Sequence, residues 1–401
     1  MTGHLAQRPL QRALRARQSD SRSMRPASDI ERRRLNDTFA RLCAIPSPFG
    51  SERACAEAVA KELATIGVDV EEDGAAAESG AQCGNLLARI PGRGERSILL
   101  CAHLDTVPED GAIEPVLVDG AWESAGDTIL GADNKAAVAV LLELARRCAI
   151  EGAPVGIELL FTVSEENALA GAKALDVAQL RSEWGYVFDH ASPIGEIIVA
   201  SPTYYRFEAD FRGTPAHAGI RPEDGRSAIE AAARAIAAMP LGRIDDETTA
   251  NVATISGGQS AGTNIVAERC RIVGETRSLD SARAEAMVAE LIGHVHDAAN
   301  TPRCACDVDV ATARLFDGYR HPASAPSLLA AEQALRACGY TPSGRSSGGA
   351  SDANALQSAG LHCANLANGT EHNHRPDERV SVAALEGMLD VALALLDACS
   401  A

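Results

Sequence analysis

The alternation of apolar and polar positions divides the first part of the chain into buried strands and amphipathic helices. Nearly all-apolar runs, typical of strands that are buried on both faces, occur at 97–102, 156–163 and 184–188. Runs with helical periodicity lie before and between them, at 28–42, 52–66 and 136–147. This order predicts an α/β unit with a mostly parallel sheet.

The pattern changes after about residue 202 and returns to the first type near residue 326. Between these points we predict strands at 204–211, 251–255, 267–276 and 305–311, and helices at 227–238 and 281–298. A small α+β domain inserted into the α/β unit explains this change. We therefore expect a disordered basic extension at 1–27, the main domain at 28–201 and 323–401, and the inserted domain at 202–322.

Composition narrows the class of protein. A chain of 401 residues with 46% hydrophobic and 23% charged residues is typical of a soluble protein with more than one domain. The net charge of −18 argues against a nucleic-acid partner. No apolar run approaches the roughly 20 residues that span a membrane. The 11 cysteines are scattered, so we expect reduced thiols in a cytoplasmic protein rather than a disulfide scaffold.

The first 25 residues differ from the rest because they contain six arginines and a single acidic residue, Asp20. They lack the apolar core of a secretory signal. A transit-like segment and a disordered extension both fit this composition, and we favour the extension.

Ligand-type side chains follow the ends of the predicted buried strands. His103 and Asp105 come after the first strand, and their spacing of two places them on the same side of an extended segment. The other candidates are Asp133 before a helix, Glu165 and Glu166 after residue 163, Asp189 after residue 188, and His374 near the C-terminus. Because the carboxyl ends of parallel strands meet at one sheet edge, we expect a shared site.

Each candidate also has an ordinary structural explanation. Asp133 could cap a helix, Glu165 and Glu166 could begin a solvated loop, and Asp189 could be a turn residue. A lone His374 would be a surface histidine. Five such coincidences at one edge are harder to accept than one site. Two imidazoles and three carboxylates suit a pair of divalent ions, with a further carboxylate as general base for an attacking water.

Several motifs resemble the cocatalytic zinc peptidase superfamily, which includes peptidase T, carboxypeptidase G, acetylornithine deacetylase and succinyl-diaminopimelate desuccinylase. They are CAHLDTVP, LGADNKAAV, TVSEENALAG, FDH, GTPAHAG, SGGQSAGTNIV and HNHRPDERV, and they are most similar to the peptidase T-like branch. The resemblance implies a three-layer zinc-exopeptidase-like α/β domain with a mostly parallel central sheet. It also implies an inserted α+β lid or dimerisation domain, through which a homodimer would form.

The resemblance further implies two Zn²⁺ per subunit, for which Co²⁺ or Mn²⁺ could substitute. His103 and Asp189 would bind one ion, and Glu166 and His374 the other. Asp133 would bridge the two ions. His190 and His372 compete for the histidine positions, and we chose His374 because the H-x-P-x-E pattern starts there.

The remaining roles are also implied by the resemblance. Glu165 would be the general base that activates a bridging hydroxide, and Asp105 would orient His103. A cis peptide bond would join Asp133 to Asn134. In the inserted domain His217 would stabilise the oxyanion, reaching the active site of the partner subunit, and a substrate carboxylate would be held by Asn264, Arg277 and Gly349.

Together these features predict a dizinc metallohydrolase that cleaves an amide bond in small substrates. The main hypothesis is a peptidase T-like aminopeptidase acting on di- and tripeptides. The alternatives are a deacylase of N-acyl amino acids or a carboxypeptidase G-like enzyme, and, from another class, a catalytically silent binding protein. That last alternative predicts loss of Glu165 or of a ligand, and none is lost.

Overall fold

The computed structural model describes residues 24–109, 111–258 and 262–400, which form two compact units. The first unit contains the described residues up to Val199, together with His321–Arg345 and those from Ser351 onward. The second contains Ala200–Arg320 and Ser346–Ala350. The predicted inserted domain at 202–322 starts and ends two residues later than the long segment of the second unit.

Two short segments differ from the predicted division. Residues 346–350 pack with the second unit, where the Ser201 hydroxyl donates to the carbonyl of Gly349 over 2.9 Å. Residues 24–27 are anchored rather than disordered, because the main-chain N–H groups of Met24 and Ala27 donate to Asp397 and Asp390 at 2.6 and 2.8 Å. The rest of the predicted extension, 1–23, lies outside the described residues.

The strands and helices of the described residues follow in chain order. The strands are β1 (Val70–Glu72), β2 (Leu86–Ile90), β3 (Ser97–His103), β4 (Pro115–Val118), β5 (Ala121–Ser124), β6 (Gly156–Thr162), β7 (Trp184–His190), β8 (Glu196–Ser201), β9 (Thr203–Arg212), β10 (Gly242–Arg243), β11 (Thr248–Gly257), β12 (Arg269–Ser278), β13 (Asp307–Phe316), β14 (Tyr319–Arg320), β15 (Ser343–Ser346), β16 (Cys363–Ala367), β17 (Thr370–Glu371) and β18 (Arg379–Ser381). The helices are α1 (Asp29–Cys43), α2 (Arg53–Thr65), α3 (Ala76–Ser79), α4 (Ala132–Glu151), α5 (Ala170–Ala174), α6 (Ala228–Ala238), α7 (Ser281–Ala299), α8 (Pro326–Ala337), α9 (Asp352–Ser358) and α10 (Val382–Ser400).

The main sheet of the first unit runs in the order β1-β2-β6-β3-β7-β16-β8. Its four central strands, β6, β3, β7 and β16, are parallel, whereas the outer pairs are antiparallel. The predicted α/β fold class is therefore confirmed, with the parallel arrangement in the centre of a mixed sheet. A smaller antiparallel sheet, β17-β18-β5-β4, belongs to the same unit.

Helices cover both faces of the main sheet. Ile98, Leu100 and Ala102 of β3 are fully buried in the core cluster that they share with α1, α4 and α10. Cys101 lies on the alternate face, where its Sγ is 3.9 Å from Asp352 in α9. The apolar run of β3 is thus explained by burial on both faces of the strand. Because helices pack on each face of the sheet, the unit has three layers, helix, sheet and helix.

The second unit has its own sheet and core. Its antiparallel strands run in the order β10-β11-β12-β9-β13. Apolar residues from β9, β12 and the helices α6 and α7, such as Phe207, Ile272 and Leu291, form one buried cluster. This is the predicted α+β unit, and buried and less buried residues alternate along β9 from Phe207 to Arg212.

All 11 cysteines are free thiols, in agreement with the absence of a disulfide scaffold. Among the described residues, no helix has the length and apolar character that crossing a membrane requires.

The burial of β3 gives a prediction for stability. Leu100→Ala should lower the free energy of unfolding by about 2–5 kcal/mol, because it leaves a cavity in the core behind the strand. The matched control Leu117→Ala removes a side chain that is 57% exposed and should cost about 0.5 kcal/mol or less. Urea unfolding followed by tryptophan fluorescence measures this, since Trp122 and Trp184 both lie in the first unit. Equal effects of the two substitutions would contradict the packing described.

Candidate metal centre

The five side chains predicted as metal ligands converge in the first unit. Nε2 of His103 is 3.3 Å from Oδ1 of Asp133 and 3.6 Å from Oδ1 of Asp189. Nε2 of His374 is 2.7 Å from Oε1 of Glu166 and 3.4 Å from Oδ2 of Asp133. Asp133 therefore lies between two groups of donors, with one oxygen toward each.

The parallel strands and their loops bring these residues together. His103 is the last residue of β3, and Asp189 lies near the end of β7, its parallel neighbour. Glu166 follows β6, the other parallel neighbour of β3. Asp133 stands at the start of α4, and its peptide bond to Asn134 is cis, as the resemblance implied. His374 lies between β17 and β18.

Asp105 holds three residues of the site through two different groups. Its carbonyl oxygen accepts a hydrogen bond from Nδ1 of His103 over 2.9 Å, which leaves Nε2 facing the acids. Its carboxylate oxygens accept the main-chain N–H groups of Glu165 and Glu166, each at 3.0 Å. The carboxylate itself is 3.6 Å from Nδ1 of His103. Asp105 thus fixes both an imidazole and the turn that carries the two glutamates.

Burial and crowding of charge shift the protonation of the acids. Burial, together with the negative charge of Asp189, raises the pKa of Glu165 well above its usual range. Burial and the charge of Asp133 raise the pKa of Asp189 in the same way. Burial opposes ionisation of Asp133, but hydrogen bonds from His103 and His374 lower the pKa of Asp133.

The pKa values of the two imidazoles are raised as well. Burial disfavours a charged His103, but the charge of Asp189 and hydrogen bonds to three aspartates raise the pKa of His103. Hydrogen bonds to Asp133 and Glu166 raise the pKa of His374 to about 10. Protonated imidazoles supply the positive charge that these carboxylates require, and a bound cation would supply it instead.

The donor set fits divalent metal ions. Apart from Nε2 of His103 at 3.3 Å, the buried Oδ1 of Asp133 has no polar partner in the described part of the chain. Donor atoms of His103, Asp133 and Glu166 lie within 4.8 Å of one another, as do those of His103, Glu165 and Asp189. Nitrogen and oxygen donors in such sets are the ligands that zinc takes. Glu165, expected as the base, therefore lies close enough to act on a molecule held by the other donors.

The competing histidines have other surroundings. Nδ1 of His372 is 2.9 Å from a carboxylate oxygen of Asp377, and the side chain is half exposed. His190 follows Asp189, and burial lowers the pKa of its imidazole. Nε2 of His374, by contrast, faces Glu166 and Asp133. The choice of His374 as the ligand stays a prediction.

Three residues near the site were not assigned from the sequence. Nδ2 of Asn373 donates to Oδ2 of Asp133 over 2.8 Å. Asn365 exchanges two hydrogen bonds with the main chain of Asp189, both at 3.0 Å. Glu378 accepts from the main-chain N–H group of Asp133. Two of these residues had a signal in the sequence. Asn373 lies between two histidines, and Glu378 ends the H-x-P-x-E pattern.

The predicted substrate residues lie in the second unit, in two places. His217 and Asn264 are exposed in adjoining loops, where Ala218 N–H donates to the carbonyl of Asn264 over 2.8 Å. The N–H of Gly219 donates to Nδ1 of His217 over 3.2 Å, which leaves Nε2 of the imidazole available.

The second place is the surroundings of Arg277. Its guanidinium donates to both carboxylate oxygens of Glu275, at 3.1 and 3.3 Å, and to the carbonyl of Gly348, next to Gly349, at 3.3 Å. It also lies 4.5 Å from the centre of the Tyr204 ring. Glu275 thus occupies the fork that was expected to hold a substrate carboxylate. The roles of Asn264, Arg277 and Gly349 stay predictions.

Comparisons with known proteins cover nearly the whole chain. Residues 201–301 match the family described as peptidase dimerisation domain, and residues 85–189 match peptidase family M28. The uncharacterized protein YqjE of Bacillus subtilis is 34% identical over 370 residues, or 92% of this chain and 99% of that protein. The structure of aminopeptidase PepT from Bacillus cereus is 37% identical, with a TM-score of 0.84, and covers 92% of this chain and 99% of its own. A tripeptidase structure from Staphylococcus aureus is 30% identical, with a TM-score of 0.87, and covers 92% and 98%.

The two histidines of the last loop provide a matched test of the ligand assignment. His374→Ala should retain about one ion per chain where the parent holds about two, because Glu166 loses its companion donor. His372→Ala should retain about two, since its imidazole pairs with Asp377. The metal content of both variants after dialysis, measured by atomic emission, shows which histidine is the ligand. Loss of an ion from the His372 variant alone would reverse the assignment.

Proposed function

Since the chain belongs to the peptidase T-like branch of the cocatalytic zinc peptidase superfamily, we propose that it removes the N-terminal residue from di- and tripeptides. The peptidases of this superfamily to which the chain is similar are metal-dependent enzymes that hydrolyse peptide bonds, and the chain is an enzyme of this kind. The proposal about substrates is supported by the similarity to PepT and to the tripeptidase, which extends over nearly the full length of both.

The observation that carries the proposal is the group of five donors around Asp133, with the buried Glu165 beside it. His103 and Asp189 would hold one ion, Glu166 and His374 the other, and Asp133 both. Zinc is the proposed metal because two imidazoles and three carboxylates match its preferred donors. Bound ions would supply Lewis acidity, which polarises a carbonyl oxygen and makes water a nucleophile near neutral pH.

Glu165 is the proposed general base. Its carboxylate lies within 4.8 Å of donor atoms of His103 and Asp189, and its main chain is held by Asp105. In its ionised form this carboxylate would accept the proton of the attacking water and then donate it to the leaving amine. Asp105 holds the main chain of Glu165 and Glu166 in one turn, and the proposal gives the proton to Glu165 and a metal to Glu166.

The second unit supports a proposal of a homodimer. Residues 201–301 match a peptidase dimerisation domain, and His217 is exposed with one ring nitrogen available. We propose that His217 of the partner subunit stabilises the oxyanion formed on the scissile carbonyl. Arg277, Gly349 and Asn264 would hold the substrate carboxylate, and Arg277 would first have to exchange Glu275 for it.

The decisive variant is Glu165→Gln, which keeps the shape of the side chain but cannot accept a proton. We expect kcat on tripeptides to fall by about 10²–10⁴-fold, while the metal content stays at about two ions per chain. The control Glu183→Gln changes a side chain that is 52% exposed and should leave kcat unchanged. Amine release followed with ninhydrin gives the rate, and full activity in the Glu165 variant would remove this residue from the mechanism.

The same assay separates the substrate classes. The parent is expected to release amine from tripeptides and dipeptides, and not from N-acetylated amino acids. Release from N-acetyl amino acids alone would favour the deacylase, and release only from the carboxyl end of a peptide would favour the carboxypeptidase. No release from any of them by the metal-loaded protein would favour the silent binding homologue.

A further inference from the structure

Glu378 is a buried carboxylate that binds main-chain groups beside the proposed metal centre. Its side chain is almost completely buried, and the residue is 1% exposed. Oε2 accepts the N–H groups of Leu130 and Gly131 at 2.9 and 2.8 Å, and Oε1 accepts that of Asp133 at 2.9 Å. Each oxygen therefore takes part in at least one hydrogen bond with the segment from which the Asp133 side chain extends.

The segment before α4 is shaped as an anion receptor. Gly131 has a left-handed conformation, with φ at 71°, and such turns direct successive N–H groups into one concavity. In some proteins such N–H groups at the start of a helix bind a phosphate or another external anion. Here a carboxylate of the chain itself fills the concavity. The receptor therefore serves to fix the turn rather than to bind a ligand.

The bond between Glu378 and Asp133 connects two distant parts of the chain, 245 residues apart in sequence. Glu378 belongs to the same H-x-P-x-E segment as His374, whose Nε2 is 3.4 Å from Oδ2 of Asp133. Glu378 thus links the segment that carries His374 to the main chain of Asp133, whose carboxylate faces His374. Asn373 adds a second connection from the same segment to Oδ2 of Asp133.

A carboxylate is better suited to this place than its amide. Three donors meet two oxygens, and a glutamine would replace one acceptor by an NH₂ group that donates. One or more N–H groups would then lose their partner, and the turn would shift. Because Glu378 contacts the main chain of Asp133, and not a reacting atom, its effect on chemistry must pass through the position of the Asp133 carboxylate.

We propose that Glu378 is a positioning residue that sets the place of the Asp133 carboxylate relative to His374, and thereby the affinity of the centre for divalent ions. This inference rests on the proposed function, since it requires that the centre binds metal. It adds a residue whose role is distinct from those of the donors and the general base.

The test measures metal binding itself. Metal-free parent and Glu378→Gln are titrated with Co²⁺ and followed by calorimetry and by the visible absorption of the bound ion. We expect Co²⁺ to bind about 10–100-fold more weakly to the variant, as is usual when a group that orients a ligand is lost, with an altered absorption spectrum. The matched control Glu371→Gln, an exposed position in β17, should bind Co²⁺ as the parent does.

A double-mutant cycle separates positioning from a general loss of structure. In an Asp133→Asn background, Glu378→Gln should cause little further loss of Co²⁺ affinity, because the carboxylate through which it acts is absent. Equal losses in both backgrounds would overturn the proposal, as would parent-like affinity and spectrum in the single variant. Circular dichroism of the metal-free proteins checks folding. If Glu378→Gln does not fold, Glu378→Asp is used in its place, because it keeps the charge but has a shorter side chain. If the parent itself binds no Co²⁺, the proposed function fails instead.

Discussion

The concentration of negative charge at one end of a parallel sheet is the constraint on which the rest of this structure depends. Asp133, Glu166 and Asp189 lie within a few ångströms of two imidazoles, and Glu165 is buried beside them. Carboxylates in such a place repel one another and lose hydration, so they need positive charge nearby. Without metal, only the protons on His103 and His374 can provide it within the cluster. The arrangement is therefore best understood as a receptor for cations.

The surrounding fold holds these acids in place through main-chain groups. Asp105 binds the N–H groups of Glu165 and Glu166, Glu378 binds that of Asp133, and Asn365 binds both main-chain groups of Asp189. Each acid of the centre is thus held through its main chain, and these contacts do not use the carboxylate oxygens of that acid. Such support is what a site needs when its donors must stay close in spite of their repulsion.

The sequence indicated a candidate site residue where that residue stands at or just after the end of a buried strand. The apolar run of β3 predicted His103 at its end, and the runs of β6 and β7 predicted the glutamates and Asp189, because burial on both faces leaves a clear pattern. The outer strand β8 and the β4–β5 hairpin were not predicted. Glu378 was visible as part of a motif, but its role depends on a contact 245 residues away, which no local pattern encodes. The pairing of Arg277 with Glu275 was also not predicted, although a spacing of two places both side chains on one face of β12.

Diffraction from crystals soaked in zinc, collected on both sides of the zinc absorption edge, tests the assignment of a two-ion centre around Asp133. We expect two anomalous peaks in the first unit, one in contact with His103 and Asp189, the other with Glu166 and His374, and both with Asp133. A single peak, or peaks away from Asp133, would contradict it.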